Sequence, residues 1–163
     1  MKKLFLPLSI FLIAIGCSTT KESKMSYSYD VQYVDFDTYE VEDKGSIDSK
    51  GAIEAFRSFP FKEQQKKARS LPSPTFPTIS FRSDHDDAVL ATWSLEPDIF
   101  EVYMEINNMK VTVETDDQSY VENTIKDFFQ GSRQELFDLL SEHPTAVVVV
   151  GLLTRIKKLI GMA

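Results

Sequence analysis

The chain reads as an α+β protein: a four-stranded antiparallel meander with helices packed on one face, plus an N-terminal strand region. Three observations predict this class. Residues 78–115 hold four runs of alternating apolar and polar residues separated by turn signals. The flanking stretches 48–71 and 117–141 carry apolar residues at helical spacing behind capping residues. The 163 residues are 42% hydrophobic and 12% aromatic, which supplies a core and argues against disorder.

The four runs are TISFRS, AVLATWSL, DIFEVYMEI and MKVTVET. Asn107-Asn108 and Pro97-Asp98 are two-residue turn candidates. A turn at Asn107-Asn108 sets Ile106 opposite Met109, Met104 opposite Val111 and Val102 opposite Val113. A turn at Pro97-Asp98 sets Leu95 opposite Phe100, Trp93 opposite Val102 and Ala91 opposite Met104. Both registers gather the apolar residues on one face. Trp93 is therefore expected in the core, against Val102 and a helix stripe of Val121, Ile125 and Phe128. Bringing Ile79 and Phe81 to that face requires an odd loop of five residues, Asp84 to Ala88. The opposite face then carries Ser80, Arg82, Thr92, Ser94, Glu101, Tyr103, Glu105, Lys110, Thr112 and Glu114. On it Glu105 faces Lys110, a favourable pair, and Glu101 faces Glu114, an unfavourable one.

The flanks follow in order. Residues 27–43 alternate like a strand, but the apolar set changes parity at 33/34 and again between 36 and 39. One or two strands with a bulge or turn satisfy that pattern. Ser46, Asp48 and Ser49 are available caps for a helix bearing Ile53, Phe56, Phe59 and Ala68. Pro60 suits only the first turn of a second helix, so a break is expected near Phe59-Pro60, with an exposed, charged sequence after it. Pro72, Pro74 and Pro77 make a stiff linker. Ser119 with Glu122 reads as a capping box before Val121, Ile125, Phe128 and Phe129, and Gly131 stops that helix. Ser132 with Glu135 reads as a second box before Leu136, Phe137, Leu139 and Leu140, and Pro144 ends it.

The N-terminus carries an address. Lys2 and Lys3 precede a largely apolar stretch, Leu4 to Ile15, which is too short to span a bilayer and has the build of an export signal. It runs through Ala14-Ile15-Gly16 into Cys17, the only cysteine of the chain. These first seventeen residues resemble the lipobox of bacterial lipoproteins, with Ala14 where that family most often has Leu. The resemblance implies cleavage before Cys17, a diacylglycerol on its thiol and an acylated new N-terminus. Ser18, where Asp would favour the inner membrane, implies the outer membrane. The chain thus divides into a signal peptide (1–16), a polar tether (17–26), a single α+β domain (27–143) and a basic amphipathic C-terminal segment (144–163). In that last segment Arg155, Lys157 and Lys158 accompany Leu152, Leu153, Ile156 and Ile160. It either lies on anionic lipid or docks on the domain.

Composition removes several functions. The net charge is −7, and −9 once Lys2 and Lys3 are lost, which argues against nucleic acid as a partner. An acylated Cys17 leaves neither thiol chemistry nor a disulfide. Asp84, His85, Asp86 and Asp87 are the only local cluster of metal-type ligands, but they lack the Gly and Glu of a calcium-binding loop and read as a solvated hairpin loop. Glu101 and Glu114 have the spacing of a general acid/base pair, without a cleft or sugar-binding aromatics around them. No cofactor motif is visible.

The expectation is a lipid-anchored envelope protein that binds another protein and catalyses nothing. An immunity or inhibitor protein would be one form of it. The alternatives are a structural or assembly accessory of a membrane complex, and an envelope hydrolase. The binding face expected is the polar one, bearing Arg82, Glu101, Tyr103, Glu105 and Glu114.

Overall fold

A computed structural model describes residues 25–150 of the chain, Pro97 excepted; the side chains of Leu95 and Val150 also lie outside the description. The signal peptide, Cys17, most of the tether and residues 151–163 are outside it as well.

The class is α+β: among the described residues there are four helices and one antiparallel sheet. The strands are β1 (Tyr27–Gln32), β2 (Glu42–Ser46), β3 (Thr78–Ser83), β4 (Val89–Glu96), β5 (Ile99–Ile106), β6 (Met109–Thr115) and β7 (Val147–Val150). Their order is β2-β1-β3-β4-β5-β6-β7. The expected meander, β3 to β6, is the centre of a seven-stranded sheet rather than the whole of it. β2 and β7 form the outer edges, and β7 carries the sheet past residue 143 into the segment read as tail.

The helices are α1 (Ser49–Ser58), α2 (Phe61–Ala68), α3 (Gln118–Gln130) and α4 (Arg133–Ser141). The break at Phe59-Pro60 is present, because proline cannot donate within a helix. Asp48 caps α1 through Gly51 N–H, and Ser132 caps α4 through Glu135 N–H. The box expected at Ser119 and Glu122 does not form. Asp117 caps α3 instead, and Glu122 takes a bidentate bond from Arg57 at 2.9 and 2.6 Å. That guanidinium holds the Glu122 carboxyl below its usual range and ties α1 to α3.

One face of the sheet lies under the helices. Ile79, Phe81, Leu90, Val102, Met104, Val111 and Val113 meet Phe56, Val121, Ile125, Phe128 and Leu140 there, all essentially without exposure. Arg133, at the start of α4, is buried among them. It donates to the Gly131 carbonyl at 2.8 Å and to the Tyr27 hydroxyl, and lies 4.6 Å over the Phe128 ring.

Register decides what the other face carries. β5 and β6 pair as expected, with Met104 opposite Val111 and Val102 opposite Val113. β4 does not. Thr92, not Trp93, lies opposite Val102, and Leu90, not Ala91, lies opposite Met104. The register shifts between Ser94 and Glu96, and a one-residue shift exchanges faces. Leu90, Thr92 and Ser94 therefore point at the helices, while Ala91 and Trp93 point away. Ile79 and Phe81 then reach the core opposite Thr92 and Leu90. Ser83 N–H bonds the Ala88 carbonyl, so the loop between them holds an even number of residues, Asp84 to Asp87, not five.

Candidate functional site

The face away from the helices is ordered in rows by strand pairing. One row runs Gln32, Thr78, Trp93, Glu101, Glu114. The next runs Asp30, Ser80, Ala91, Tyr103, Thr112. A third runs Ser28, Arg82, Val89, Glu105, Lys110. Ser80 and Ala91 are small, so the middle row sinks between Trp93 on one side and Arg82 and Glu105 on the other. The result is a trough of about 610 Å³.

Loops raise its rim. Thr75 donates through its hydroxyl to the Tyr33 carbonyl at 2.8 Å, and through its N–H to the Val34 carbonyl at 3.1 Å. That holds Pro74 and Phe76 over the trough, with Phe76 57% exposed. Gln32 donates to the carbonyls of Asp37 and Thr38, both at 3.1 Å, which fixes the turn that supplies Thr38 to the rim.

The polar groups are held in place. Asp30 is only 7% exposed, and its carboxylate accepts from Arg82 Nε at 2.8 Å. Half of the Arg82 side chain remains open. The Trp93 indole N–H donates to Glu101 at 2.9 Å, and the Trp93 and Tyr103 rings lie 6.1 Å apart. The Tyr103 hydroxyl donates to Glu105, which also pairs with Lys110 at 3.3 Å. Burial, then the bond to Glu105, pushes the Tyr103 phenol well above its ordinary range. It is therefore a neutral donor at any physiological pH.

Of the five residues expected on the binding face, Arg82, Tyr103 and Glu105 line the trough. Glu101 and Glu114 lie directly opposite each other, as expected, but in the Trp93 row and outside the trough lining. Thr92 and Ser94, expected on this face, belong to the core. Trp93, Ala91, Val89, Phe76 and Gln32 were not foreseen here. The Ser-x-Asp-x-Gln alternation of β1 was a usable signal for Gln32 and Asp30.

Asp86 faces Arg133 Nε at 3.9 Å and accepts from Ala88 N–H at 3.4 Å, and Asp87 takes a left-handed turn conformation with φ 51°. Among the described residues no group of three or more His, Asp, Glu or Cys is placed to hold a metal ion. His143 Nδ1 bonds Thr145, and its ring lies 5.0 Å from that of Tyr120.

No protein-family model matches the chain, nor does any curated protein or solved structure it was compared with.

Proposed function

We propose that this is a lipid-anchored cell-envelope protein that acts as a non-enzymatic protein-binding module, with its partner seated in the trough on the sheet face turned away from the helices. The carrying observation is the trough itself, which sets Trp93, Tyr103 and an open Arg82 around a small-residue floor. Trp, Tyr and Arg are the residues most often found as binding anchors: the two aromatic rings offer large area with a polar handle, and the guanidinium offers a planar fork of donors. Phe76 at the rim adds apolar surface that water has no reason to cover. The carboxylates support binding over catalysis. Glu101 is bonded to an indole, and Glu105 to a phenol and an ammonium. Glu114 beside Glu101 gives one flank an acidic character, which suits a basic partner and speeds its arrival. An immunity or inhibitor protein, neutralising a basic toxin or hydrolase near the membrane, is the specific form this reading favours.

Site-specific photo-crosslinking in the producing cell tests it. A photoreactive residue at Phe76 or at Thr112, on the rim and face, should give an adduct of one common mass. The same residue at Lys126, exposed on the helix layer, should give none. An adduct from position 126 alone, or none from 76 and 112, would refute the proposed face.

A further inference from the structure

Hydrogen bonding leaves donors over in the trough. The Asp30 carboxylate takes Arg82 Nε at 2.8 Å, and among the described residues the guanidinium makes no other hydrogen bond. Its two terminal amino groups, the fork that suits a carboxylate, therefore have no protein partner. The Asp30 side chain is nearly buried and the Arg82 side chain is half open, so the first fixes the guanidinium and the second faces the trough. Ser80 stands beside them, opposite Asp30 of β1 and two residues before Arg82 on β3. Residues two apart on a strand share a face, which sets Ser80 and Arg82 about 7 Å apart. Ser80 is 8% exposed and lines the trough floor, and its hydroxyl has no hydrogen-bond partner among the described residues.

We propose, on the reading of the trough as the partner's seat, that the partner places an acidic side chain there, its carboxylate on the terminal amino groups of Arg82 and on the Ser80 hydroxyl. Ala91 and Val89 pair with Ser80 and Arg82 across β3 and β4, and offer the apolar floor on which the stem of that side chain rests. Trp93 and Phe76 close over it from the side. The charges already present allow an anion. Arg82 offsets Asp30, and Lys110, 3.3 Å from Glu105, offsets the acid in the trough lining. Glu105 is also two strand spacings from Arg82, about 10 Å, beyond the screening length of about 8 Å at physiological salt. Asp30 holds the Nε edge of the guanidinium, which leaves the other edge to the incoming group. The acidic flank of the face lies further along the sheet: Glu101 is two strands and Glu114 three strands from β3, about 10 and 14 Å. A partner that is basic overall meets that flank with its cations and Arg82 with one carboxylate. Opposite preferences at the two ends fix the direction in which it crosses the sheet.

The probe is 3-phenylpropionate, a carboxylate on a short apolar stem, and its control is 3-phenylpropanamide, the same shape without the charge. Each is titrated against the purified protein while the fluorescence of Trp93, the only tryptophan, is followed. The expected result is saturable binding of the carboxylate at millimolar concentration, with the amide roughly tenfold weaker or more. Arg82→Lys keeps the charge but not the fork, and should weaken the carboxylate roughly tenfold while leaving the amide unchanged. Ser80→Ala should weaken it by a smaller factor, about fivefold, and thermal unfolding of both variants checks that the domain is intact. Equal binding of the two probes, no saturable binding of the carboxylate, or binding that ignores both substitutions in folded protein would overturn the proposal. The photo-crosslink from position 112 separates this result from the reading beneath it. An adduct whose yield falls about tenfold in Arg82→Lys supports the acidic anchor. An adduct that forms equally in Arg82→Lys keeps the trough as the seat and overturns the acidic anchor. Absence of any adduct in the parent protein removes the seat, and the anchor with it.

Discussion

The β5–β6 and β4–β5 hairpins share a strand but close in different ways. The first turns on Asn107 and Asn108, both left-handed at φ 51° and 61°, and pairs without interruption from Ile106–Met109 to Phe100–Thr115. The second turns with Asp98 at φ 65° and then slips: Glu96 pairs with Ile99, yet Ser94 pairs with Phe100. The extra residue sits at Leu95. Ser94 is why the slip is tolerated. Its buried hydroxyl lies 3.0 Å from the Glu96 carbonyl and 2.9 Å from that of Ile99, and accepts from Gln65 Nε2 at 2.6 Å. A serine that finds three polar partners inside is cheaper to bury than one left alone. One inserted residue thus turns the whole of β4 over, taking Trp93 out of the core and putting Thr92 in.

The largest difference is expected between two truncations on β4. Leu90→Ala should cost about 2–5 kcal/mol, since Leu90 is fully buried. Trp93→Ala should cost under about 1.5 kcal/mol, on the order of one hydrogen bond and some partly exposed area. Denaturant unfolding of both variants measures the difference, and a Trp93→Ala loss equal to that of Leu90→Ala would put β4 the other way round. A smaller effect is expected at the regular turn. Replacing Asn107 and Asn108 together by Ala should cost about 1–2 kcal/mol, because alanine pays for left-handed backbone that asparagine accepts. The smallest effect has the opposite sign. Thr92 is 2% exposed and its hydroxyl has no hydrogen-bond partner among the described residues. Thr92→Val should raise stability by about 1 kcal/mol in the same assay, whereas a solvent-facing Thr92 would give no change.

Much of this fold is legible in the residues, and the exceptions share a cause. The β5–β6 register follows from alternation plus a turn pair that accepts positive φ. The α1–α2 break follows from Pro60, and the α4 cap from Ser132. β2, reading Glu-Asp-Lys-Gly-Ser, has no apolar alternation because it is an edge strand with exposed side chains, where charges guard against further pairing. β7 was hidden for the converse reason: four valines merge into an apolar tail, although Val147 and Val149 stand 63% and 55% exposed. At the β4 bulge Ser94 meets Gln65 of α2, a contact that no local pattern contains. The binding face suffered in proportion. Arg82, Tyr103 and Glu105 lie on strands whose faces were assigned correctly, whereas Trp93 lies on the strand that slips and Phe76 on a linker with no period at all.

The face turned away from the helices, not the core, carries the tryptophan. Trp93 is the only tryptophan of the chain, so its fluorescence reports that position alone. Acrylamide titration of the native protein is the most direct measurement. Clear quenching is expected in the folded state, before any unfolding, together with a loss of quenching when a partner occupies the trough. Fluorescence that resists acrylamide until the chain unfolds would place the indole among the helices and contradict it.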